Sequence, residues 1–456
     1  MTKLSPETLL RTLRANPRAG SAALCRLLGG INRSTLARGI QSLGEQLVSR
    51  GGSRRTRYAA RRALRGTSAP ITLYRIDASG RGHEMGHLDL LYPAGSALGF
   101  SEACPWPLDD EMRDGWFDGL PYPLVDMRPQ GFLGRHFARQ HALDLAVSAN
   151  PEEWSEDDIA YVLATFGHDL PGDLVLGEAS YRRLLEERRR GTTGFLTAEQ
   201  VATAYPALAT AALTQGVADS SAGGEFPKFT AQRRENNVFF HVIVKFSGAD
   251  NSPAVRRWAD LLVCEHLALE TVRSELPVRS AESIVRHHAG RTFLEVKRFD
   301  RHGEYGRSPV CTLGSLNAAL IGMSGSSWPR TAQRLQDAGW LSAEDEARIA
   351  RIWWFGKLIG NTDMHEDNLA FRPGLTLAPI YDMLPMLYAP LRGGELPSRA
   401  YAPEFPLPGE TTVWRQAADA ALLYWQQCSA DSRISTDFQQ TCATNGRLLA
   451  EAQASI

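Results

Sequence analysis

Three side chains constrain this chain more than any others. Asp363 and Asn368 stand five positions apart in Gly360-Asn361-Thr362-Asp363-Met364-His365-Glu366-Asp367-Asn368, and Asp382 follows in Ile380-Tyr381-Asp382. A hard cation such as magnesium takes oxygen ligands, usually one or two carboxylates plus substrate phosphates, so an Asn carbonyl and an Asp carboxylate suffice from the protein. A base for a hydroxyl proton must sit beside that metal without being consumed by it. A loop with Asp and Asn five apart separates the two roles, and Asp382 on the next strand-like run closes the site from the opposite side. The competing reading is that Asp363 and Asn368 cap turns in a Gly/Asn/Asp-rich loop.

The same order of Asp, Asn and downstream Asp serves phosphoryl transfer in protein kinases. Two upstream segments extend the match. Val238-Phe239-Phe240-His241-Val242-Ile243-Val244-Lys245-Phe246 is β-branched and aromatic and predicts a strand with one lysine near its end. A buried ammonium needs a partner, which a nucleotide phosphate supplies in kinases; snorkelling to solvent is the alternative. Some twenty residues earlier, Ser220-Ser221-Ala222-Gly223-Gly224-Glu225-Phe226-Pro227-Lys228 is small and glycine-bearing. Such a segment lets backbone N–H groups approach phosphate oxygens, or is a plain turn.

Together with Val296-Lys297-Arg298-Phe299-Asp300-Arg301, these motifs resemble the HipA-type toxin kinases, closest to the YjjJ-like branch that carries its own DNA-binding segment. The resemblance covers roughly residues 70 to 450. It implies an α+β, bilobal, protein-kinase-like fold using ATP and Mg2+. It makes Asp363 the catalytic Asp, Asn368 and Asp382 the metal ligands, Lys245 the phosphate-binding lysine, and Val296, Lys297, Arg298 and Phe299 the hinge beside adenine. Ser221, Ala222, Gly223 and Gly224 become the phosphate loop and Ser220 the autophosphorylation site. His365, inside the catalytic loop, is read as an ATP-side residue that orients the loop or Asp363, with a purely structural hydrogen-bonding role as the alternative. A protein substrate, such as an aminoacyl-tRNA synthetase, is implied as well. Two departures stand out. The hinge has Lys297 where Glu is common, and the helix after Lys245 begins Arg256-Arg257 where Asn-Glu is usual, so a carboxylate for Lys245 must come from Asp260 or Glu265.

Charge supplies a second clue. The net charge is −1, yet residues 1–66 hold fourteen Lys and Arg against two acids, leaving 36 against 49 for the remainder. A small module with a balance of +12 is an electrostatic footprint for nucleic-acid phosphates. Apolar periodicity predicts helices over 6–15, 21–28 and 32–43, with Gly29-Gly30 as the turn and Asn32 or Ser34 capping the third. Arg33, Ser34, Thr35 and Arg38 then open a recognition helix. Residues 47–58 predict a β-hairpin wing whose Arg54, Arg55 and Arg57 reach phosphate or minor groove, completing a winged helix-turn-helix domain. A small protein-docking bundle is the alternative.

The domains expected are 1–66 for DNA binding, 67–305 for the N-lobe with phosphate loop and ATP-binding strands, and 306–456 for a mostly helical C-lobe. Strands are expected over 71–76 and 86–92, and helices over 181–190, 313–320, 331–338, 343–358, 411–428 and 434–454. No apolar run reaches the length that spans a bilayer, and the N-terminus lacks a signal-peptide core, so a cytoplasmic address without membrane association is expected. Six scattered cysteines without a C-x-x-C pair predict reduced thiols rather than a disulfide framework or zinc site. His287-His288 is expected at the surface or in a loop. Two function classes stand: a Ser/Thr protein kinase of the toxin type, and a DNA-binding regulator whose kinase fold senses nucleotide or forms a homodimer. Small-molecule phosphorylation is a weaker third.

Overall fold

The computed structural model describes residues 4–216, 226–323, 325–391 and 393–456. It is a mixed helix-and-sheet structure with two compact units, Met1–Asp77, Arg81–Arg128 and Glu153–Arg189 in the first, and Ala78–Gly80, Pro129–Glu152 and Arg190–Ile456 in the second. Each unit draws on more than one of the three segments expected from sequence. Among the described residues no helix is long and apolar enough to cross a membrane.

The first unit opens with helices α1 (Pro6–Ala15), α2 (Ser21–Leu27) and α3 (Arg33–Leu43). Ser5 caps α1 by accepting the Thr8 N–H, and Pro6 fills the first turn, where a missing N–H costs nothing. Asn32 caps α3 through the Thr35 N–H at 2.8 Å. Leu9, Leu13, Leu24, Leu36 and Leu43 face one core with Ala60, each worth roughly 1.5–3 kcal/mol when fully buried. Strands β1 (Ala19–Gly20), β2 (Leu47–Arg50) and β3 (Arg57–Ala60) form an antiparallel sheet in the order β1-β3-β2.

A second sheet continues from it, in the order β7-β6-β5-β4-β8: β4 (Ile71–Ile76), β5 (Gly82–Leu90), β6 (Ser96–Phe100), β7 (Trp116–Phe117) and β8 (Leu174–Leu176). The strand expected over 86–92 therefore begins four residues earlier. Helices α4 (Glu156–Phe166) and α5 (Glu178–Arg189) pack on β8 and β4. The three-helix element is not held by a tether alone. The Arg62 N–H donates to Leu90 O at 2.7 Å and the Tyr92 N–H to Ala60 O at 3.0 Å. Val48 and Ala59 share a buried cluster with Leu91, Ala97 and Trp116.

The second unit builds a five-stranded sheet in the order β12-β13-β11-β10-β9 from β9 (Phe195–Leu196), β10 (Lys228–Glu235), β11 (Val238–Phe246), β12 (Ser283–His288) and β13 (Arg291–Lys297). His287 and His288 end strand β12; His287 is exposed at the surface, one of the two places expected, and its Nδ1 lies 3.1 Å from Thr292 Oγ1. Helix α6 (Ala198–Gly216) covers one face, where Val201, Tyr205 and Ala209 meet Phe229, Val242, Val244, Phe246 and Phe293. Helix α7 (Pro253–Glu275) contacts β13 and β12 and leads into helical structure: α8 (Trp328–Asp337), α9 (Ala343–Leu358), α10 (Thr411–Ala430) and α11 (Thr436–Ala454). Between α8 and the preceding Leu313–Leu316 turn, residues Asn317–Ile321 adopt π-helix, a form that often marks functional positions.

Buried Asp260 on α7 accepts both the N–H (2.7 Å) and the hydroxyl (2.5 Å) of Ser435, the N-cap residue just before α11. Burial pushes its carboxyl up to about 6, against the hydrogen bonds from Ser435 and the charge of Arg257. The folded state thus holds this proton more tightly than the unfolded chain. That stabilisation is complete below the ordinary Asp value near 4, is lost as pH rises through about 6, and amounts to about 3 kcal/mol. Asp260→Asn is expected to flatten the decline in stability between pH 4 and 7, read from urea midpoints beside wild type. Parallel pH profiles for the two proteins would refute it.

Candidate active site

Lys245 lies near the end of β11, an interior strand paired with β10 and β13, and is 5% exposed. Its Nζ donates to both carboxylate oxygens of Glu265 at 2.8 Å and also contacts Asp382 Oδ1. Of the two carboxylates left open by sequence, α7 therefore presents Glu265 to the lysine and gives Asp260 to Ser435. One ammonium between two carboxylates carries a net charge of −1, a setting that favours a further cation.

Asp382 reaches this place through a short pairing that turns the chain inward. The Ile380 N–H donates to Arg279 O at 2.9 Å and Ile380 O accepts the Ala281 N–H at 2.8 Å. Asp382 itself is left-handed (φ 52°), a conformation uncommon for residues with a side chain and held only where surroundings impose it. Asn361 imposes part of it, donating through Nδ2 to Asp382 O at 3.4 Å while its Oδ1 accepts the Asp363 N–H at 3.0 Å. One side chain thus links the Asp363 loop to the Asp382 segment.

The loop leaves α9 at Gly360, whose φ of 74° suits glycine. Gly356, one turn earlier, lies so close to the Met364 sulfur that an added Cβ would stand 2.4 Å from it. Asn368 is buried, and its Nδ2 donates to Asp363 O at 2.9 Å. Its Oδ1 takes no hydrogen bond among the described residues. Asn368 and Asp382 therefore offer the hard oxygen donors that suit magnesium. The Asp363 side chain is 57% exposed and His365 53%; His365 Nε2 stands 3.9 Å from Asp363 Oδ1, beyond hydrogen-bonding distance.

Three further contacts fasten this loop. The Trp328 indole donates to His365 O at 3.0 Å, and the Tyr381 hydroxyl to Asp367 O at 2.7 Å. The Glu366 carboxylate accepts Thr331 Oγ1 at 2.6 Å and the amide of buried Asn317 at 3.0 and 2.8 Å. Sequence reading assigned no role to Asn361 or Glu366. The Asx-turn spacing of Asn361 two residues before Asp363 was the available signal for the first; Glu366 had none, because its partners lie 49 and 35 residues away. Glu366→Ala strands the Thr331 hydroxyl and leaves the buried Asn317 amide with Met323 O as its acceptor, at about 1–3 kcal/mol. We expect a single-turnover transfer rate lower by roughly 10-fold or more with nucleotide affinity retained. An unchanged rate would show that the loop does not need this anchor.

Val296 to Phe299 close β13 and the turn after it. The Lys297 and Arg298 N–H groups donate to Glu282 O and His241 O, both at 2.8 Å. Lys297 pairs with Glu282 at 3.1 Å, and the Arg298 guanidinium forks onto Asp300 at 3.0 and 2.8 Å. The Phe299 N–H and C=O are not hydrogen-bonded among the described residues, and its ring lies 5.9 Å from that of Tyr381. Ser220, Ser221, Ala222, Gly223 and Gly224 fall outside the described residues. The chain that follows them does reach the site: the Phe226 ring lies 5.8 Å from Lys245 Nζ, and Pro227 O accepts the Phe246 N–H at 3.1 Å.

In the first unit, Arg33, Ser34 and Arg38 are exposed on the N-terminal half of α3, with Thr35 half-buried. Arg54 is exposed at the hairpin tip. The other hairpin arginines meet carboxylates: Arg55 with Asp114 at 3.2 Å, Arg57 with Glu111 at 2.8 Å, and Arg50 with buried Asp89 at 2.7 Å, which also pairs with Arg61 at 2.9 Å.

Comparison with known proteins adds to this geometry. A family model for the middle domain of YjjJ-like toxins matches residues 67–185, and one for the HipA-like C-terminal domain matches residues 220–442. The toxin YjjJ of Escherichia coli (strain K12) is 35% identical over 431 residues, covering 94% of each chain. Among solved structures, a chain of the Shewanella oneidensis MR-1 toxin–antitoxin complex of HipA, HipB and operator DNA is 13% identical with a TM-score of 0.45, covering 83% of this chain and 95% of its own. The Helicobacter pylori proinflammatory kinase CtkA is 13% identical with a TM-score of 0.34, covering 50% and 93%. Both structural likenesses are too distant to argue from.

Proposed function

Because this chain belongs to the YjjJ-like toxin family and carries a HipA-like C-terminal domain, we propose that it is an ATP- and magnesium-dependent serine/threonine protein kinase. The observation that carries this reading is the cluster of Lys245, Glu265 and Asp382, linked through Asn361 to the loop that exposes Asp363. Active kinases require such a strand-lysine to helix-glutamate pair and a metal-binding Asp. Lys245 meets the α- and β-phosphates, and the unbonded Phe299 backbone is the hinge group open to adenine. Asn368 and Asp382 would hold magnesium, which neutralises phosphate charge when bound.

In the reaction, a substrate hydroxyl oxygen bonds to the γ-phosphorus as the bond to the β–γ bridging oxygen breaks. ADP leaves, and Asp363 takes the hydroxyl proton. Ser220 is the autophosphorylation site on this reading, with Ser221 as its neighbour. Two negative charges placed there repel ATP. The outside substrate is a translation component such as an aminoacyl-tRNA synthetase, whose modification would arrest growth. DNA binding through α3 forms the second part of the proposal, supported by exposed Arg33 and Arg38 at a capped helix start.

Calorimetric titration with ATP, with and without magnesium, tests the nucleotide site. Asp382→Asn and Asn368→Ala are expected to abolish the tightening that magnesium gives wild type. If wild type binds ATP equally well in EDTA, the assigned metal role is wrong. If it binds no ATP at all, the regulator with an inactive kinase fold takes its place.

A further inference from the structure

The arginines of residues 1–66 are not equivalent in the folded chain. Arg11 and Arg14 of α1 and Arg26, Arg33, Arg38 and Arg54 around α3 and the hairpin tip are exposed and have no acidic partner among the described residues. Arg50, Arg55 and Arg57 of the β2–β3 hairpin are instead matched by carboxylates contributed 39 to 59 residues later, at 2.7, 3.2 and 2.8 Å. Arg50 is the most firmly committed. Its partner Asp89 is 2% exposed by side chain, sits between two guanidinium groups, and would lose one of its two compensating cations in a buried place if Arg50 left for another anion. Beside it, Val48 of β2 and Ala59 of β3 are buried against Leu91, Ala97 and Trp116.

Resting on the DNA-binding reading above, we infer that the hairpin is a bracket rather than a DNA contact: it fixes α3 on the middle sheet, and DNA is gripped through α3 with Arg26 and Arg54. The physical reason is charge accounting. An arginine already neutralised by a carboxylate releases no counterion on meeting a phosphate, and the phosphate must approach that carboxylate closely. Glu111 and Asp114 thus remove Arg57 and Arg55 from the electrostatic footprint that composition alone assigns to them. The four arginines assigned to this grip give a salt dependence with a slope of roughly −4 in log affinity against log salt, where the additional hairpin arginines would bring it near −6.

The test is fluorescence anisotropy of the full chain with a duplex from upstream of its own gene and a random duplex of equal length, between 50 and 200 mM KCl. Arg33→Ala with Arg38→Ala is expected to weaken binding at least 10-fold and to reduce the slope by about 2. Two charge-neutral pairs, Arg55→Gln with Asp114→Asn and Arg57→Gln with Glu111→Gln, are expected to change affinity less than twofold and leave the slope alone. A hairpin pair that costs as much as the α3 pair, with its slope reduced and its melting temperature intact, overturns the bracket. Wild type binding neither duplex would instead reject the DNA reading on which the bracket rests.

Discussion

Asp363→Asn is expected to lower γ-phosphate transfer by about 10²–10⁴-fold while leaving Mg·ATP affinity near that of wild type. The loop owes its shape to main-chain tethers, the Asp363 N–H on Asn361 and its C=O on Asn368. The exposed carboxylate carries none of that load, so an isosteric amide removes the base without moving its neighbours. Single-turnover transfer and nucleotide titration on the same preparation separate the two effects. Transfer within a few-fold of wild type would take Asp363 out of the base role. A parallel fall in affinity would make it part of the nucleotide site instead.

Lys245→Met is expected to have the largest effect on stability. Glu265 is 1% exposed and bonds its lysine through both oxygens. Removing only the cation leaves a buried carboxylate uncompensated, at about 3–5 kcal/mol. Adding Glu265→Leu removes that charge, so the double variant is expected to recover most of the stability measured by urea unfolding. Its nucleotide binding should stay lost, since the phosphate-facing ammonium is still missing. Recovery of nucleotide binding in the double variant would show that Lys245 is a structural ion-pair partner only. A single variant as stable as wild type would mean that Glu265 finds water or another cation.

Local patterns in the sequence carried the elements around the site well, and for identifiable reasons. Helix α1 and strand β11 have the bounds their periodicity predicts, and α3 begins immediately after Asn32, one of the two caps, with Ser34, that the sequence left open. Alternatives framed as a choice, such as Asp260 or Glu265 for Lys245, needed the third dimension, because both residues lie on one helix and only its packing decides which faces β11. Helix α6 went unread, with Pro206 in its interior arguing against a helix; burial of Val201, Tyr205 and Ala209 under the sheet outweighs that penalty. The charge pattern was the least complete signal. Residues 1–66 are strongly basic in isolation, but the acids that answer Arg50, Arg55 and Arg57 are Asp89, Asp114 and Glu111, and nothing in a linear count marks long-range pairs. The role of Glu366 was hidden in the same way.

The central claim, that the Asp363 loop and the Lys245 cluster form a working kinase site, is tested most directly by transfer itself. Wild type is incubated with γ-labelled Mg·ATP beside Asp363→Asn, and the label is located by mass spectrometry. The account predicts phosphate on Ser220 or Ser221 in wild type, and its loss in the variant. ATP bound with magnesium but label transferred neither to the chain itself nor to any protein of a cell extract would contradict it.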